Sequence, residues 1–240
     1  MTAAEAIPLR EVVTSFAALG VTAFTTTRRD GDYALADPPA AEAVSRWQAL
    51  HRSFGDATPR LVSARQVHGT KVIEHGGDGA GWVRIEGADG HVALGPGIAM
   101  AVTVADCIPV FLAHADGAAG IVHAGWRGVA GQIVVRALDQ LAARGVDVGG
   151  VHVHLGPAIC GRCYEVGPDV YEQLTGWSTI RTRHVDLRAL VAEQVKERGV
   201  ARVTASPHCT RCDNDRFFSH RAGDAGRQVA VIAVTGPGSP

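Results

Sequence analysis

The sequence has almost no net charge, no leader pattern and no long apolar run, and each absence excludes a class of partner. Lys and Arg number 23 against 24 Asp and Glu, so the formal net charge is −1. That balance offers neither the basic field that nucleic acid needs nor the basic face that a membrane attracts. The opening Met1-Thr2-Ala3-Ala4-Glu5-Ala6 carries an acid where a secretory leader carries cations. No apolar run approaches the roughly 20 residues of a membrane span. The expectation is a cytoplasmic chain with no nucleic-acid or membrane partner. Five cysteines, an odd number, argue against a disulfide framework. The glycine-rich loop at 76–81 lacks both G-x-G-x-x-G and G-x-x-x-x-G-K, so it is not a phosphate cradle. No histidine is followed by x-Glu and neither C-x-x-C follows a proline, which excludes the cytidine-deaminase zinc motif.

What is present is a 240-residue chain of ordinary globular composition, 46% hydrophobic, long enough for a sizeable core. Val21 to Thr27, Leu61 to Val67, Lys71 to Glu74, Ile98 to Val104, Val110 to Ala113, Val151 to Leu155 and Gln228 to Val234 read as strands. Helices are expected after Asp37, with Val44, Trp47, Leu50 and Phe54 on one face, from Val129 to Arg144, from Pro168, and after the cap Asp186. Arg28 and Arg29 read as part of a solvated turn, and His75 as exposed. Strands and helices mix without strict alternation, which predicts one α+β domain over residues 1–240 with a frayed tail at 236–240.

Three of the strand-like runs end at residues that can bind metal. Leu61 to Val67 delivers His68, Ile98 to Val104 leads to Cys107, and the run from Gly120 delivers His123. Imidazole and thiolate on rigid strand ends suit zinc, and three protein ligands leave a fourth position open for chemistry. Spacing alone leaves open a buried cysteine near two loop histidines, because His68 lies far from the other two. A cysteine hydrolase with Cys107 as nucleophile, His123 as base and Asp106 or another polar group as orienter uses the same residues. Cys160-x-x-Cys163 and Cys209-x-x-Cys212 form a possible structural knuckle, although 45 residues separate the pairs. His152 and His154 form the kind of H-x-H pair common in copper proteins. A multicopper centre would need many more such pairs, and histidines on an exposed sheet face explain this one equally well.

Taken together, Gln66-Val67-His68-Gly69, Ala105-Asp106-Cys107-Ile108-Pro109, His123-Ala124-Gly125-Trp126-Arg127-Gly128, Gly156-Pro157-Ala158-Ile159, Cys163-Tyr164-Glu165-Val166-Gly167 and Arg216-Phe217-Phe218-Ser219 resemble the YfiH-like family. That family was long labelled laccase domain or multicopper polyphenol oxidase. The likeness runs from about Thr25 to Val234. It implies a single domain of mixed β-sheets flanked by helices, a fold shared with toxin-type cysteine deamidases. It implies zinc held by His68, Cys107 and His123, which would also be the catalytic residues. The implied reaction is phosphorolysis of purine nucleosides (adenosine, inosine, methylthioadenosine), with adenosine deamination besides. Its partners would be a purine nucleoside and phosphate, and the chain a monomer or small homo-oligomer. The family's Glu-Asn-Arg stands here as Val44-Ser45-Arg46, making Arg46 a candidate substrate contact without the acid and amide before it. Alternatives are a copper-dependent polyphenol oxidase and a cysteine hydrolase or amidase using Cys107.

Overall fold

Six of the seven residues from Ile98 to Val104 are apolar, so a strand there has no polar face to give to water and must be covered on both sides. The computed structural model describes residues 8–36, 39–76 and 78–235, and in it this run is the middle of a layered molecule. The strands are β1 (Arg10–Val12), β2 (Val21–Thr26), β3 (Arg60–Arg65), β4 (Val72–His75), β5 (Gly81–Glu86), β6 (Gly90–Ala93), β7 (Ile98–Val104), β8 (Ile108–Ala113), β9 (Ala119–Ala124), β10 (His152–Leu155), β11 (Glu165–Val166), β12 (Arg183–His184), β13 (Arg202–Ala205) and β14 (Gln228–Val234). The α-helices are α1 (Ala41–Arg52), α2 (Trp126–Ala130), α3 (Ile133–Ala143), α4 (Pro168–Thr175) and α5 (Leu187–Glu197).

Two six-stranded mixed sheets run in the orders β1-β2-β14-β7-β3-β5 and β13-β10-β8-β9-β6-β4, with β11 and β12 as a separate pair. In the first sheet β7 is antiparallel to β14 and parallel to β3. The sheets pack face to face. Ile98, Met100, Val102 and Val104 of β7 meet Phe111, Ala119 and Ile121 of the second sheet. The alternate residues Ala99 and Ala101 face the other way, onto α1, where Trp47 and Leu50 cover them. Val110, Leu112 and Val122 point outward from the second sheet onto Ile133, Leu138, Val191 and Val195 of α3 and α5. Helix, sheet, sheet, helix is therefore the order of layers, and it explains why β7, β8, β9 and β14 carry no polar alternation. This is the mixed-sheet domain flanked by helices that the sequence led us to expect.

Trp47 anchors the α1 layer. It is 1% exposed, stacks on Trp82 with ring centroids 5.0 Å apart and meets Tyr33 edge-on at 5.7 Å. Its indole N–H donates to the Tyr33 carbonyl at 3.1 Å, so the buried polar atom is satisfied. At the other face, the Asp186 carboxylate caps α5 by accepting from the Arg188 and Ala189 N–H groups.

The structure differs from the sequence expectation in several places. The helix expected from Val129 to Arg144 is two helices: Gln132 turns to φ 57° between α2 and α3, and Gly131 lies so close to Thr70 that a Cβ would meet its Cγ2 at 2.5 Å. Strands β5 and β6 were not among the expected strands, and β5 begins at Gly81, the last residue of the expected glycine-rich loop. His75 is buried, with Nε2 2.9 Å from Nδ1 of buried His91. Arg28 is not solvated: it donates to the Asn214 and Phe217 carbonyls and pairs with Asp224. Helix α1 begins at Ala41 after Ala40, while Asp37, the expected cap, and the tail 236–240 lie outside the described residues. No helix among the described residues is long and apolar enough to cross a membrane.

Candidate active site

Cys107 follows β7 at the turn into β8, and His123 lies inside β9. The β8–β9 ladder pairs Ile108 with Ala124 and Pro109 with His123, so one step further along the same antiparallel register sets Cys107 beside Gly125. That glycine matters for its missing side chain: a Cβ there would sit 3.0 Å from Cys107 Sγ, 3.3 Å from His68 Cδ2 and 3.9 Å from His123 Cε1. Its absence leaves a space faced by all three side chains, whose ligand atoms lie within 4.8 Å of one another. His68 is exposed, Cys107 half-buried and His123 buried.

His68 arrives from the end of β3. The Gln66 side chain clamps this end to β7, donating to the Thr103 carbonyl at 2.8 Å and accepting from the Thr103 N–H at 2.7 Å. His68 itself adopts φ 57°, a left-handed conformation that is costly for a non-glycine residue. Asp89 holds it there. One of its oxygens accepts from the His68 N–H at 2.9 Å, and the other from Gly69 at 2.8 Å and Val67 at 3.2 Å.

The same carboxylate lies 2.9 Å from Nδ1 of His123. This fixes the tautomer that turns Nε2 toward Cys107 and His68, the arrangement of a carboxylate–histidine–metal triad. Burial works to raise the Asp89 carboxyl, but the bonds from His123 and the backbone outweigh it and hold the group below the ordinary carboxylate range. Cys107 and His123 form a coupled pair. Burial opposes both charges, yet their mutual attraction pulls the thiol down to about 6 and lifts the imidazole to about 9. Asp106, the other candidate for orienting His123, is occupied elsewhere. Its carboxylate accepts from Thr210 Oγ1 at 2.6 Å and from the Arg221 N–H at 2.7 Å, and its φ is 82°.

One thiolate and two imidazoles, oriented by a buried carboxylate, fit a borderline-soft cation such as zinc, with a side left open for a further ligand. They form one wall of a cleft of about 1190 Å³ that Tyr164, Trp126, Arg127 and Arg221 also line. Arg127 stacks on Trp126 at 4.3 Å and Arg221 on Tyr164 at 4.7 Å. Burial and the Cys107 charge raise the Tyr164 hydroxyl to about 12, so it stays a hydrogen-bond donor.

Of the four site residues expected from the sequence, the structure brings His68, Cys107 and His123 together. Arg46 is not among the residues lining the cleft. Its guanidinium donates to the Asp32 carbonyl at 3.1 Å and pairs with Glu42 one turn earlier on α1. Asp89 was missed because Gly87-Ala88-Asp89-Gly90 reads as a turn. Only its full burial marks it as an organiser. His152 and His154 stand apart, bonded to Arg202 and Thr204 on the second sheet.

A family model described as multi-copper polyphenol oxidoreductase laccase matches residues 19–235. A purine nucleoside phosphorylase of Mycobacterium tuberculosis is 36% identical over 212 residues, covering 84% of this chain and 82% of that protein. An adenosine deaminase from an unknown prokaryotic organism is 33% identical over 237 residues, covering 84% and 88%. Among solved structures, YlmD from Geobacillus stearothermophilus superposes with a TM-score of 0.85 at 25% identity, covering 96% of this chain and 97% of that one.

Proposed function

The chain belongs to the family described as multi-copper polyphenol oxidoreductase laccase, and on that premise we propose that it is a zinc-dependent enzyme that cleaves purine nucleosides with phosphate and also deaminates adenosine. The observation that carries this reading is the convergence of His68, Cys107 and His123 on the space left by Gly125, at the wall of an arginine-bearing cleft. The names of relatives similar over most of their length, purine nucleoside phosphorylase and adenosine deaminase, support the substrate class.

Zinc, held by His68, Cys107 and His123, would supply a Lewis acid, for the negative charge that develops on the departing purine and for the water that attacks in deamination. The other roles belong to the chain. Asp89 keeps His123 Nε2 and the His68 turn aimed at one point. Arg127, stacked on Trp126, and Arg221, stacked on Tyr164, line the cleft with guanidinium groups of the kind that bind an oxyanion such as phosphate. Tyr164, whose hydroxyl stays protonated, offers the cleft a neutral donor. In phosphorolysis the C1′–N9 bond breaks as the phosphate oxygen bonds to C1′, and the purine leaves with the electron pair and takes a proton. Fixing both reactants in one cleft accounts for part of the rate.

One specific observation favours a second reading. The paired Cys107 and His123, with Asp89 behind the imidazole, are also the nucleophile, base and orienter of a cysteine hydrolase. For the copper oxidase alternative, the groups among the described residues that could hold a metal are this triplet, with two histidines, and a four-cysteine group, and neither has the many histidines of a multicopper centre.

The test is mass-spectrometric analysis of products from adenosine incubated with zinc-loaded protein, with and without phosphate. Adenine and ribose 1-phosphate formed only with phosphate, together with inosine in both conditions, is the expected result. No turnover in either condition overturns the nucleoside reading. Activity on an amide that survives chelation and is abolished by alkylating Cys107 establishes the hydrolase instead.

A further inference from the structure

The four remaining cysteines take no part in that site. In sequence they are two C-x-x-C pairs 45 residues apart, with α4 and α5 between them. In the fold the loop after β10 and the loop after β13 lie against one another. Ala158 bridges to Cys209, and the Thr210 N–H donates to the Ala158 carbonyl at 3.3 Å. All four sulfur atoms then lie within 4.8 Å of one another, and none is in a disulfide.

We propose that Cys160, Cys163, Cys209 and Cys212 hold a structural zinc ion, built from a donor set separate from His68, Cys107 and His123. The spacing of the sulfurs is the first support. Zinc–sulfur bonds of about 2.3 Å in a tetrahedron place sulfurs about 3.8 Å apart, and Cys163 Sγ and Cys212 Sγ are 3.5 Å apart. The backbone supplies the second. The Cys163 and Tyr164 N–H groups both donate to the Cys160 carbonyl, a tight turn that sends the first pair's sulfurs to one side. Cys209 Sγ accepts from the Cys160 N–H at 3.2 Å and lies 3.5 Å from the Cys212 nitrogen. Backbone N–H groups aimed at sulfur stabilise thiolate over thiol. Charge is the third. Four thiolates on one divalent cation leave a charge of −2, and each pair carries an arginine before its second cysteine, Arg162 and Arg211. Arg211 reaches across to the Cys163 carbonyl at 3.2 Å. Closed four-sulfur tetrahedra of this kind are structural rather than catalytic.

Such a zinc pins two loops that brace the active site. From the first, the Ile159 N–H donates to the Asp106 carbonyl at 3.0 Å, and from the second, Thr210 Oγ1 donates to the Asp106 carboxylate. Asp106 is the left-handed residue immediately before Cys107, so the four-sulfur site sets where that thiol stands.

The inference does not rest on the nucleoside reading, and metal counting separates the two. Full-length protein loaded with zinc alone is expected to carry two zinc ions per chain by native mass spectrometry, with one left in Cys107→Ala and one in Cys212→Ser. The zinc left in Cys107→Ala should show four sulfur neighbours at about 2.3 Å by X-ray absorption. If Cys212→Ser does not fold, the absorption result on Cys107→Ala decides alone. A folded Cys107→Ala protein with no zinc, or with Cys163 and Cys212 joined as a disulfide, overturns the proposal.

Discussion

Replacing Asp89 by Asn tests whether one buried carboxylate organises the candidate active site. The substitution keeps the volume but turns one acceptor oxygen into a donor. One oxygen of Asp89 serves the His68 N–H and His123 Nδ1, and the other serves the Val67 and Gly69 N–H groups. Whichever way the amide is placed, two donors around this buried carboxylate lose their acceptor and face another donor. An unsatisfied buried donor costs about 1–3 kcal/mol, and since the backbone donors here are only part-buried the variant should lose about 1–3 kcal/mol, a sizeable part of the ~5–15 kcal/mol that holds a domain together. Loss of the carboxylate behind a histidine ligand should also weaken zinc binding about 10–100-fold. Urea denaturation of metal-free protein reads the first effect, and competition with a chromophoric chelator reads the second. Asp56→Asn, at an exposed site, makes the same charge change as a control. An Asp89→Asn protein with the wild-type urea midpoint and wild-type zinc affinity would refute the organising role.

Gly125→Ala places a methyl 3.0 Å from Cys107 Sγ, so metal analysis should show loss of zinc from that site while the far-ultraviolet circular dichroism is retained; full occupancy would mean that the space is not the ligand's. Trp47→Ala removes the stack on Trp82 in the α1 layer and should cost about 3–5 kcal/mol in urea without changing zinc content. The His75–His91 contact sets a pH dependence. Burial, helped by the Arg60 charge, holds His75 down to about 4, and burial with the His75 charge holds His91 down to about 3. An unfolded histidine titrates near pH 6.5, so between there and about pH 4 the unfolded chain binds protons that the folded chain refuses, and stability falls as pH falls. His75 alone accounts for about 3 kcal/mol over that interval. Urea midpoints of metal-free His75→Asn should show a shallower acid loss than wild type, and parallel curves would refute the assignment.

The sequence by itself determined the strands that are apolar on both faces and the chemical type of the residues at their ends. Ile98–Val104 and Gln228–Val234 could only be covered strands, because no polar side was available to meet water. Asp186 could be read as a cap because capping is local, resting on N–H groups two and three residues away. His68, Cys107 and His123 were legible as donors, since residue type and strand-end position are local too. Tertiary structure decided what depends on register and burial. Asp89 reads as a turn residue until the fold buries it beneath four hydrogen-bond partners. Arg46 reads as a candidate substrate contact, and only the fold shows its guanidinium seated against the Asp32 carbonyl and Glu42. The four cysteines form two distant pairs until the loops after β10 and β13 meet. For Asp89 and for the four cysteines the deciding quantity is a distance between residues far apart in the chain. Such distances are set by how sheets and helices pack, which no short window of sequence contains.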